Sequence, residues 1–146
     1  MRTEFGDELI VLRRDVLSTR AVRNAYLGYV TDQLDKLVRR GRQDTDSSDR
    51  RREKHARHVA RLLIQGFQLY STGERTVRVQ DRDRIMGIGE QVMSDPEATA
   101  LRHLLAQNER GFNAAKSPLP ERPETDRLDD LMRRIRIADL KGQLPA

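Results

Sequence analysis

The sequence contains no cysteine and no tryptophan. Without a thiol there is no disulfide scaffold, thiolate nucleophile or redox motif, and no cysteine-ligated zinc or iron–sulfur centre. Long apolar runs are missing too. The longest, Leu9 to Leu12, is four residues, against the roughly 20 that a membrane span requires. Neither a spanning helix nor a secretory h-region is expected, and the default compartment is the cytoplasm. Aromatic residues are sparse, and Phe5, Tyr26, Tyr29, Phe67, Tyr70 and Phe112 mostly lie on or beside apolar stripes. They are expected in a core, not on a base-stacking platform.

What remains is charge and helical periodicity. A chain of 146 residues accommodates one domain, or one domain with an appendage. Charged residues make up 35% and hydrophobic ones 36%. Because the apolar residues recur at helical spacing, the polar excess reads as solvated helix faces and not as disorder. The net charge is +5, and residues 39–61 hold all of the surplus, with nine basic residues against four acidic ones. One short window with that imbalance creates a local field that attracts polyanions.

Two apolar series open the chain, Phe5, Leu9, Leu12 and Val16, then Val22, Tyr26, Val30, Leu34 and Leu37. They fall out of phase near Leu17 to Arg20, which predicts a kinked element or two helices ending near Gly41. Residues 41–49 carry no apolar side chain and read as an exposed loop, with Ser48 or Asp49 capping the next helix. From Arg50 to about Tyr70, Ala56, Val59, Ala60, Leu63, Phe67 and Tyr70 form one stripe facing the core. Gly66 weakens its last turn, and Ser71-Thr72-Gly73 is expected to stop it. Arg75 to Gln80 then alternates, a strand signal that allows a hairpin near 68–80 closed by Thr72-Gly73-Glu74. A hairpin directly after a basic helix is the order of a winged-helix DNA reader.

Asp81 is placed to cap a helix carrying Ile85, Ile88 and Val92. Ser94-Asp95-Pro96-Glu97 reads as a capping box for a helix over about 95–110, burying Ala98, Leu101, Leu104 and Leu105 and stopped by Gly111. Pro118, Pro120 and Pro123 forbid a helix over 113–124. A last amphipathic helix, about 125–141, carries Leu128, Leu131, Ile135 and Ala138 and ends at Gly142. The sequence therefore predicts an all-α fold: a compact bundle of five or six helices, with a short β-hairpin near 68–80 as an option and a projecting C-terminal helix. The corresponding division is a helical domain at 1–112, a proline-rich linker at 113–124 and a C-terminal amphipathic helix at 125–146.

The main functional candidate is the helix starting near Arg50. Arg50, Arg51, Lys54, Arg57, His58 and Arg61 recur opposite the apolar stripe. Cations about 5–6 Å apart along a helix can neutralise successive phosphates or pair with guanine in a major groove. Arg39, Arg40 and Arg42 would add backbone phosphate contacts. The competing reading is a solvated face steadied by a Glu53–Arg57 pair, or a patch for an acidic protein partner. His55 and His58 are three apart, but Arg51, Lys54 and Arg57 around them oppose metal capture, so no metal is expected. His58 with Arg61 lacks the glycine usual at Leu62 in a phospho-accepting histidine motif. Gly87 and Gly89 lack the preceding strand, third glycine and Gly-Lys-Ser/Thr of a phosphate loop. No serine–histidine–acid constellation is evident around His55, His58 or His103, and no cofactor motif appears.

These residues point to a non-enzymatic regulator touching nucleic acid, with no cofactor and no membrane association. In the alternative, the protein is a helical adaptor whose basic face meets an acidic protein, with Leu128, Leu131, Ile135 and Ala138 as the hydrophobic anchor. The same stripe, exchanged between copies, would make a homodimer.

Overall fold

A computed structural model describes residues 4–41, 46–79 and 81–143, with side chains at all of these except 40, 41 and 46–48. Among the described residues it is all-helical and contains no strand. The helices are α1 (Glu4–Leu12), α2 (Thr19–Arg23), α3 (Tyr29–Gly41), α4 (Asp46–Thr72), α5 (Arg82–Ser94), α6 (Thr99–Ala114) and α7 (Asp126–Leu140). A π-helical turn, Asn24–Gly28, joins α2 to α3. No helix among the described residues is long and apolar enough to cross a membrane. The chain divides into two units, one from 1–20 with 119–146 and the other from 21–118.

The predicted break near Leu17 to Arg20 falls between α1 and α2, where residues 13–18 leave the helix. The π turn corrects a separate drift within the second series. Val22, Tyr26, Val30 and Leu34 are spaced by four, and each such step over-rotates an α-helical stripe by about 40°. One wider turn absorbs the drift, so Val22, Val30 and Leu34 are all buried.

In the 21–118 unit, Leu34, Leu37, Ala56, Val59, Leu63, Ile85, Val92, Leu101 and Leu104 belong to one buried cluster drawn from α3, α4, α5 and α6. Each fully buried Leu or Val contributes about 1.5–3 kcal/mol. The expected stop at 71–73 is met, because Gly73 adopts φ 71° and donates its N–H to the Leu69 carbonyl at 2.9 Å. Gly66 does not interrupt α4. It lies directly against the Tyr26 ring, where a Cβ would collide, so the glycine serves close packing.

Two sequence expectations fail here for identifiable reasons. The hairpin near 68–80 does not form: residues 68–72 stay in α4 and no strand follows among the described residues. Thr76 is held by α4 instead, its carbonyl accepting from Gln65 Nε2 at 3.3 Å and its hydroxyl from Gln68 Nε2 at 2.6 Å. Polar groups available to a ladder are satisfied sideways, Val77 points to solvent and the winged-helix order is lost.

The capping box is also displaced. α5 runs through Ser94, whose hydroxyl bonds back to the Gln91 carbonyl. Proline at 96 forces the residue before it to be extended, and Asp95 is, at φ −123° and ψ 98°. The helix starts at Thr99 instead, and the Asp95 carboxylate accepts from the Glu97 and Thr99 N–H groups at 3.0 and 2.6 Å. Ala98 turns the corner with φ 52° while fully buried. α6 then passes Gly111, which lies against Phe67, and ends at Ala114. α4 begins at Asp46, ahead of the expected Ser48 or Asp49 cap.

In the other unit α1 and α7 pair antiparallel. Arg127 meets Asp15 at 2.6 Å, and Arg134 binds Glu8 across the pair and Asp130 on its own helix. Leu12, Leu119, Leu131 and Ala138 are buried. The proline segment is tied down here, with the Pro120 carbonyl accepting from Thr19 and the Glu124 N–H donating to the Asp15 carbonyl.

Candidate nucleic-acid interface

α4 presents its arginines in two directions. Arg52 shares the apolar face, four residues before Ala56, and is buried at 4% exposure. Its guanidinium donates to the Asp95 carbonyl at 3.1 Å, pinning α4 to the α5–α6 corner. The hydrogen bonds from Thr99 to the Asp95 carboxylate, with those from Glu97 and the nearby Arg52 charge, hold that carboxyl below its ordinary value of 3.8. Arg52 was not among the expected site residues, and its place here is structural.

On the opposite face Arg50, Arg51, Lys54 and Arg61 are exposed, and none forms an ion pair among the described residues. Arg57 differs from them. It is clamped to Glu53, its side chain is only 31% exposed, and its stem runs over Gly89 of α5, where an added Cβ would sit 2.6 Å from Arg57 Cγ. The sequence therefore located the Glu53–Arg57 pair correctly, and Arg57 is a helix-to-helix spacer more than a free cation. Arg57 Nε is buried without a hydrogen-bond partner. His58 is half-buried, and Arg61 reaches its Nδ1 at 3.3 Å. His55 turns inward, its Nε2 3.0 Å from Gln33 Oε1 on α3. No group of three or more potential metal ligands occurs among the described residues.

Packing of α5 on α4 adds cations that the sequence pattern did not associate with this face. A groove of about 400 Å³ runs between them, lined by Lys54, Arg57, His58 and Arg61 from α4, Val79 from the connecting segment, and Arg82, Ile85 and Met86 from α5. No carboxylate lines it. It adjoins a smaller hollow of about 280 Å³ that shares Arg61, Val79 and Ile85 and adds Arg78, with Asp81 as its acidic member. Arg82 and Arg78 thus complete a basic rim around an apolar floor. Nothing in local spacing signals them, because the juxtaposition depends on the close helix approach at Gly89.

Of the remaining expected contacts, Arg39 is exposed on α3, while the Arg40 side chain and Arg42 lie outside the described residues. The expected partner stripe on α7 is divided, with Leu131 and Ala138 buried and Leu128 and Ile135 half-buried. A second groove, about 700 Å³, lies between α5 and α6 and is rimmed by Arg84, His103 and Arg110. Arg84 is engaged there by Gln107 at 2.9 Å.

Comparison with protein families, with curated proteins and with solved structures finds no match.

Proposed function

We propose that the protein is a cytoplasmic, non-enzymatic regulator that contacts nucleic acid through α4. The observation carrying this reading is the set of outward cations with no ion-pair partner among the described residues: Arg50, Arg51, Lys54 and Arg61, extended across the groove by Arg82. A face built for solubility alternates signs and gains from i,i+4 pairs. Among the described residues this one has a single such pair, Glu53–Arg57. Polyanion binding releases counterions, so affinity should fall linearly on a log–log plot against salt. Replacing Arg51, Lys54 and Arg61 with alanine should flatten that line. A salt-independent affinity, or a slope unchanged in the triple variant, refutes the reading.

The adaptor alternative loses support because Leu131, the centre of its anchor, is fully buried within the chain. Association with a second copy is supported by a different set, the exposed Leu9, Ile10 and Val11 of α1 and Met132, Ile137 and Leu140 of α7. Such apolar exposure on short helices favours self-association. Sedimentation of the wild type against a Leu9→Glu, Ile137→Glu variant measures it, and a wild type that sediments as a monomer overturns it.

A further inference from the structure

On the nucleic-acid reading above, we propose that the α4–α5 groove is selective for single strands, holding phosphates on its cationic rim and one unstacked base on its apolar floor. The division of the lining carries the inference. Lys54, Arg61 and Arg82 stand at the rim, while Val79, Ile85 and Met86 form the floor. The charge is uniformly complementary to a phosphate backbone, because the lining contains no carboxylate.

A duplex keeps its bases stacked inside, so it satisfies the rim and leaves the floor uncovered. An unpaired base brings an apolar face to cover it. Met86 is half-buried and flexible, and its polarizable thioether adapts to bases of different outline. The groove's volume of about 400 Å³ falls in the range of roughly 300–1,000 Å³ typical of small-ligand sites. The larger α5–α6 groove is the weaker candidate, since its Arg84 is already bonded to Gln107.

The test is fluorescence anisotropy of the full chain with three labelled probes of equal length: oligo-dT, its duplex with oligo-dA, and a strand in which every nucleotide is abasic. Oligo-dT should bind about tenfold more tightly than either other probe, the effect of taking roughly 55 Å² of apolar surface out of water. Met86→Ala should lose that advantage on oligo-dT and leave the abasic strand unaffected. Lys54→Ala with Arg82→Ala should instead reduce the single-strand salt slope by about 1.4, or 0.7 per phosphate contact. Equal affinity for all three probes with a steep salt slope overturns the base-seating inference and leaves nucleic-acid binding standing. Failure to bind any probe at low salt removes both. The abasic arm needs no variant, so a Met86→Ala protein that loses its helical circular dichroism does not rescue the inference.

Discussion

α4 and α7 draw on the same arginine-rich composition and use it oppositely. On α7, Arg127 meets Asp15, Arg134 meets both Glu8 and Asp130, and Arg133 approaches Asp130 at 4.0 Å. The Arg134 guanidinium is held more firmly protonated than usual, chiefly by the hydrogen bond to Glu8 and then by that to Asp130. On the outer face of α4, only Arg57 is matched among the described residues. Balanced charges knit two helices of one chain together, while unbalanced ones leave a field for something else to satisfy. The distinction lies in where the carboxylates are, not in how many arginines there are.

The largest break in this comparison should come from α7's buried side. Leu131 is fully buried, so Leu131→Asp places a carboxylate where leucine sat and should cost about 3 kcal/mol or more. Limited proteolysis should then cut within 119–146 first, with oligonucleotide binding by α4 retained. Loss of binding in that variant would show that the two charge arrangements are not separable.

Next in size is the Arg51, Lys54 and Arg61 triple alanine variant. Three lost phosphate contacts predict a roughly hundredfold drop in single-strand affinity near 0.1 M salt, with thermal stability within about 0.5 kcal/mol of wild type. Arg133→Ala with Arg136→Ala on α7 removes two exposed cations and should leave affinity unchanged. Equal losses from both variants would mean that net charge alone, and not the α4 face, does the binding.

The α5–α6 corner gives a smaller effect with a defined pH dependence. Asp95→Ala removes a helix cap, which costs about 1 kcal/mol. The Asp95 carboxyl is depressed in the folded protein, so its contribution is present above the unfolded value near 3.8 and disappears as pH falls through the lower folded value. Denaturation of wild type and variant should therefore differ at pH 6 and converge in strong acid. A gap that widened on acidification would reverse the assignment. The smallest change is expected for Arg134→Ala. Its bridges lie on the surface, so their loss should be visible only in dilute buffer and screened at high salt.

Much of this architecture was legible in the sequence because apolar periodicity is a local property. Val59, Leu63, Ile88, Leu101 and Leu131 fall where the helical spacing places them. Arg52 was not singled out, although it shares the register of Ala56 and Val59. The Asp95 cap was hidden by a more conventional serine one residue earlier, although the proline at 96 disfavours a helical conformation at Asp95. The hairpin expectation failed on non-local chemistry: alternation along Arg75–Gln80 carries no information about Gln65 and Gln68 reaching over from α4. Arg78 and Arg82 joined the basic face only through helix packing, which a one-dimensional pattern does not encode.

The opposed faces of α4 carry an evolutionary consequence. Its inner side is fixed by Arg52, and its outer side carries His58 and Arg61 at the groove. A single residue inserted between Arg52 and His58 would swing everything beyond it by about 100°, turning groove residues away from α5 and bringing core side chains toward water. A change in the length of this helix therefore disturbs both faces at once, whereas an exchange of one side chain disturbs only the face that carries it. Related chains should hold the distance from Arg52 to Arg61 constant.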